Sequence, residues 1–175
     1  MIASSDGRAV LRQRIEMIEG SGPRARQPYH AAEGMELREA EDFLRRTKEA
    51  AVEMTVKTVK QALASLAGQG YRVTQAAVLQ AAGRTLPGLE AILAAHPLIH
   101  TAEGVFFRDV LKCACEACGI EVVGIRESEV LERCAAALKV SADELPTRLS
   151  EMVKAMGRPW TQDEKLATAA GLTIL

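Results

Sequence analysis

Hydrophobic and polar positions switch between two periods along this chain. Arg8 to Glu19 carries Val10, Leu11, Ile15, Met17 and Ile18, and its alternating middle predicts a strand. Gly20, Ser21, Gly22 and Pro23 end it, and Pro28 keeps the next stretch irregular. From about Met35 to Leu66 the spacing becomes helical. Leu37, Ala40, Phe43, Leu44, Ala51, Met54, Val59, Leu63 and Leu66 form one stripe, and Gly68 and Gly70 stop it.

Beyond that helix the pattern alternates. Tyr71 to Ala82 reads as a buried strand centred on Val73 to Leu79, with a turn at Gly83. Leu86 to Ala95 is a short helix with Pro87 near its start, where a missing N–H costs least. Pro97-Leu98-Ile99-His100 reads as a strand leading into a helix over 102–118, which Gly119 closes. A strand over 120–125 follows, then helices over 127–138, 142–156 and 161–172. Ser141 with Glu144 predicts a capping box for the second of these. Strands separated by helices imply crossovers. The expected fold is a single α/β domain over 1–175, three-layered with a largely parallel central sheet, and with residues 1–7 left open between order and disorder.

Composition narrows the class. The chain has 175 residues, 48% hydrophobic and 26% charged, which is globular and long enough for a real core. A net charge of -1 gives no general field for nucleic acid, and 3% aromatics argues against a base-stacking surface. The N-terminus shows no secretory pattern, and no apolar run is long enough to span a bilayer. The expectation is a cytosolic protein, off the membrane, with reduced cysteines.

One phrase occurs twice. His30-Ala31-Ala32-Glu33-Gly34 and His100-Thr101-Ala102-Glu103-Gly104 share four letters of five and use two of the three histidines. The third, His96, lies one helical turn before His100. Histidine and carboxylate three apart share a face if helical, and both types move protons or hold cations. In the expected fold His100 and Glu103 sit where a strand ends and a helix begins, the usual place for ligands in a parallel sheet. The same position suits a helix-entry signal, since Glu103 would favour the helix N-terminus electrostatically. Between the first strand and the first phrase, Arg24, Arg26 and Tyr29 offer an anion-binding rim or a solvated loop. Arg108 lies five residues past Glu103, within reach of a site or of a surface ion pair. Cys113, Cys115, Cys118 and Cys134 look superficially like a metal motif. One regular helix cannot close a tetrahedron with three thiolates, so these read as small buried hydrophobes.

The second half runs strand, Glu103, helix, Gly119-Ile120-Glu121-Val122, then helices. It ends in Trp160-Thr161-Gln162-Asp163-Glu164-Lys165-Leu166-Ala167-Thr168-Ala169-Ala170. This order resembles the later part of ribonuclease H-like nucleases, especially the Holliday-junction resolvases, over roughly half the chain. The resemblance implies Glu103 as the middle carboxylate and Asp163 or Glu164 as the last, holding divalent ions that activate water against a phosphodiester. That family opens with an aspartate on its first strand, where this chain offers only Glu16 and Glu19.

Two functional classes follow. The first is a metal-dependent hydrolase for a phosphate-containing small molecule or nucleic acid, using Mg2+ or Mn2+. Glu103, Asp163, Glu164 and Glu33 would be ligands, His100 and His30 general bases or further ligands, and Arg24, Arg26, Tyr29 and Arg108 substrate-binding residues. A variant keeps His100 and Glu103 as an acid–base pair without metal. The second class is a non-catalytic ligand-binding or homo-oligomeric assembly module. There the helix from Met35 would pair with another copy through Leu37, Phe43, Leu44 and Met54, or else pack within its own domain. The chain has no phosphate loop, nucleophile elbow or zinc-protease helix, and no sign of an organic cofactor.

Overall fold

The computed structural model describes residues 1–20, 26–80, 85–152, 157 and 161–174. Asp6 and Gly7 both take positive φ, 49° and 69°, the demand of a two-residue type I′ turn. They fold Ile2–Ser5 (β1) back on Arg8–Arg12 (β2) as an antiparallel hairpin with an irregularity between Ala3 and Ser4. The Met1 ammonium donates to the Gln13 carbonyl at 2.8 Å, so part of the segment left open at the N-terminus is a strand.

Pro28–Ala32 (α1) and Leu37–Gly68 (α2) follow. Buried Ala40, Leu44, Ala51, Thr55, Val59, Ala62 and Leu66 recur at three, four and seven along α2, as one face of a helix must. The Thr55 hydroxyl is satisfied within the helix by the Ala51 carbonyl at 2.7 Å. Gly70, at φ 85°, ends α2, with Tyr71 N–H reaching the Leu66 carbonyl and Gly70 N–H that of Ala67. Next come Gln75–Gln80 (β3), Leu89–Leu93 (α3), His96–Ala117 (α4) and Glu121–Arg126 (β4). Val130–Leu138 (α5), Leu145–Met152 (α6) and Gln162–Leu172 (α7) complete the order. β3 and β4 pair in parallel, from Gln75 beside Glu121 to Gln80 beside Arg126.

The chain divides into two compact units. One comprises Met1–Ile15, Gln61–Ala82 and Gly119–Leu175, the other Glu16–Lys60 and Gly83–Cys118. In the first, Ile125, Val130, Cys134, Leu145, Leu149, Ala169 and Leu172 form the core, and α7 packs on β1, β3 and α5. In the second, the buried hydrophobic residues of the core described all lie on helices. Ala40 and Leu44 of α2 meet Ala32, while Ala51 meets Phe106 and Val110 of α4, and Ile92 of α3 meets Ile99 and Ala102.

The expectation of a three-layer α/β domain with a largely parallel sheet is corrected. Among the described residues there are two two-stranded sheets, one antiparallel and one parallel, amid mostly helix. Two stretches carried the error. Pro97 to His100 is the first turn of α4, with Pro97 at its opening positions, so the strand expected to fill out the sheet is helical. Arg8 to Glu19 is a strand only to Arg12, and Met17 and Ile18 leave it to pack against Ala51, Phe106 and Val110. The remaining helices lie where expected but start later, at Val130, Leu145 and Gln162. The Ser141–Glu144 box is present, with Glu144 accepting from Ser141 N–H at 2.9 Å, just before α6. Expected features at Ser21 to Arg24, Ala81 to Gly83, 153–156 and Trp160 lie outside the described residues.

Candidate metal centre

α1 is a five-residue helix whose N-cap, Gln27, makes no side-chain cap. Pro28 has no N–H, which leaves the amides of Tyr29 and His30 as the orphans of its first turn. Both donate to one atom, Glu103 Oε1 on α4, at 2.8 and 3.2 Å. His30 Nδ1 meets the same oxygen at 3.2 Å. Glu103 therefore caps a helix, but α1 and not its own. It lies seven residues beyond the first residue of α4, and the expected interaction with that helix's N-terminus gives way to this one.

The contact fixes His30 chemically. Facing a carboxylate, Nδ1 is the donor, and Nε2 is left for another partner. The pair is shielded, each side chain 11% exposed. Glu103 Oε2 has no hydrogen-bond partner among the described residues although it is fully buried. The other two histidines are on α4, four residues apart, with Nε2 atoms 3.0 Å from each other. His30 joins them: its ring centroid is 5.2 Å from that of His96 and 4.8 Å from that of His100. One nitrogen from each of the three lies within 4.8 Å of the others. His30 is largely buried, at 9% exposure, while His96 and His100 are exposed, so the cluster has a closed side and a solvent side.

The two repeated phrases thus meet, and they meet unequally. The histidine of the first binds the glutamate of the second. Glu33, the carboxylate of the first phrase and an expected ligand, is exposed at the C-cap of α1. Gly34 beside it takes φ 84°, which explains that phrase's glycine as a turn. The structure adds His96, which the sequence put one turn from His100 without giving it a role; four-residue spacing was the available signal.

The other expected site residues have structural work. Tyr29 packs its ring edge-to-face on Phe106 at 6.3 Å, and burial, then Glu103 and Asp109, raise its hydroxyl pKa. Arg26 is exposed and 3.9 Å from Glu16. Arg24 lies outside the described residues. Arg108 lays its guanidinium against Gly104. Asp163 and Glu164 open α7 in the other unit. There Glu164 completes a capping box with Thr161 and pairs with Arg12 at 2.6 Å. Cys113 and Cys115 on α4 and its C-cap Cys118 are half-buried, and Cys134 is buried in the first unit's core, all four as free thiols. Along α2, Leu44 is buried beside Ala32, and Phe43 packs on the same cluster. Met54 is half-buried and Leu37 is exposed. No helix among the described residues is long and apolar enough to cross a membrane.

The chain matches no family model, no curated protein and no solved structure.

Proposed function

We propose that this protein is a metal-dependent hydrolase whose ion is held by His30, His96 and His100. The observation that carries the reading is the convergence of three imidazole nitrogens within 4.8 Å. In a tetrahedral zinc site, nitrogens bound at about 2.0–2.1 Å stand about 3.3 Å apart. The His96–His100 separation of 3.0 Å is already near that value. The third nitrogen, within 4.8 Å of these two, would have to close on the ion by side-chain rotation.

An all-imidazole set suits zinc and its late first-row neighbours better than Mg2+ or Mn2+, which prefer oxygen. Zinc therefore replaces Mg2+ or Mn2+ as the expected ion. Glu103 is the outer-shell carboxylate that such histidines usually carry, fixing the tautomer and the ring plane of His30. Three protein ligands would leave room for a water, and His96 and His100 are exposed to it. A bound ion would supply Lewis acidity, lowering the pKa of such a water toward neutral.

The test is titration of the purified chain with Zn2+, Co2+, Mg2+ and Mn2+, followed by visible absorption of the Co2+ form and by thermal stability. The expected result is one Co2+ per chain with a tetrahedral spectrum, a saturable rise in melting temperature with Zn2+, and neither with Mg2+. His96→Ala, His100→Ala and His30→Ala each abolish it. Failure of wild type to bind Zn2+ or Co2+ ends the reading. The exposure of His96 and His100 supports a second reading, in which a donor from another copy fills the fourth position. Zn2+-dependent dimers in light scattering, absent in His96→Ala, would select it.

A further inference from the structure

Gly104, the last residue of the second phrase, has no role in the three-histidine cluster. At 100° per residue, His96, His100 and Glu103 fall within about 60° on α4, Gly104 comes next, and Arg108 about 40° beyond it. Helical side chains lean toward the N-terminus, so Arg108 reaches back over the preceding turn. Its guanidinium rests where a side chain at 104 would begin: a Cβ built on Gly104 would stand 2.8 Å from Arg108 Nη1. An arginine guanidinium is thus seated over Gly104, one helical turn beyond His100.

We infer that the fourth position of the metal takes a phosphoryl oxygen, and that Arg108 holds a second oxygen of the same group. This rests on the metal reading above and names its substrate class. The chemistry favours an anion on two counts. Three neutral imidazoles leave the ion's double charge undiminished in its inner shell, and Glu103, the carboxylate that meets His30, is committed through Oε1 to three N–H groups of α1. Metal and guanidinium together form a clamp for two oxygens of one group, the arrangement in which arginine outperforms lysine. Gly104 is then the residue that sets the guanidinium's height above the helix.

The experiment uses Zn2+-loaded full chain and inorganic phosphate, read by calorimetry, with acetate as a second arm. Phosphate is expected to bind the loaded protein and not the metal-free one. Arg108→Gln weakens phosphate by about tenfold or more, the worth of a charge-assisted contact. Gly104→Ala displaces the guanidinium and weakens phosphate by about threefold, while its melting temperature stays level or rises because alanine is the better helix former. Neither substitution shifts Zn2+ affinity. Phosphate affinity unchanged in Arg108→Gln overturns the clamp, as does loaded protein that ignores phosphate. Acetate binding as tightly as phosphate replaces the phosphoryl group with a carboxylate. A chain that binds no Zn2+ removes the metal reading itself and this inference with it.

Discussion

Replacing Glu103 with alanine removes the acceptor for both orphan amides of α1 and for His30 Nδ1. An unsatisfied buried donor costs about 1–3 kcal/mol. The two backbone amides alone set a loss of about 2–6 kcal/mol. Part is recovered, because the substitution also removes Oε2, itself buried without a partner. The net expectation is about 2–4 kcal/mol for Glu103→Ala and about 1 kcal/mol for Glu103→Gln, which keeps the acceptor but loses the charge. Urea unfolding measures both. A compensating substitution makes the reasoning specific. Gln27 is the N-cap of α1 and is exposed, so Gln27→Asp can supply the missing acceptor locally. In the Glu103→Ala background it should restore about 1 kcal/mol, and in wild type nothing, because Glu103 already takes both amides. Equal effects in the two backgrounds, or a Glu103→Ala cost below about 1 kcal/mol, would refute the assignment of Glu103 as the cap of α1.

Three further outcomes follow from other parts of the molecule. Lys139 ends α5 at φ 55°, so Lys139→Gly should stabilise by about 0.5–1 kcal/mol in the same unfolding assay. Arg12, with the Thr161 amide, holds the Glu164 carboxyl below the usual carboxylate range. This contribution is present above the unfolded-state value near 4.5 and is lost as pH falls through the depressed folded one, and Arg12→Met should flatten that acid limb of the stability curve. Burial pushes the Cys134 thiol up to about 11, so a thiol reagent at neutral pH should leave it unmodified in folded protein and label it only with denaturant.

Local signals in the sequence marked real elements, and pairing partners decided the rest. The α2 helix, its Gly70 stop and the Ser141–Glu144 box all depend on interactions within a few residues and lie where the pattern placed them, although of the expected stripe Leu37 is exposed and Phe43, Met54 and Leu63 are half-buried. The β1–β2 hairpin is equally local, since Asp6-Gly7 is a strong turn signal, but Ile2-Ala3-Ser4-Ser5 before the turn carries little apolar alternation to mark its first strand. The lost central strand has a different cause. Four residues, Pro97 to His100, are too few to separate strand from helix by period, and only Ala102, Phe106 and Val110 downstream show that Ile99 begins a helical face. With that strand gone, β3 has one partner among the described residues, β4, and the buried residues of the second unit's core lie on helices.

The candidate site shows why a repeat can be informative while its internal spacing misleads. Each phrase places its own histidine three residues before its own glutamate, the spacing that puts both on one face of a helix. In the structure His30 takes the glutamate of the other phrase, and His100 takes a histidine a turn earlier in α4. The cause is the length of the helices that carry them. α1 ends before Glu33, so that carboxylate turns to solvent; α4 continues well past Glu103, which is carried into the interior where the bare amides of α1 need an acceptor. One glutamate thus satisfies a helix start and orients a histidine with a single oxygen. If the three histidines hold the proposed ion, its geometry is tied to the stability of α1, and metal affinity and unfolding free energy should fall together across substitutions at Glu103.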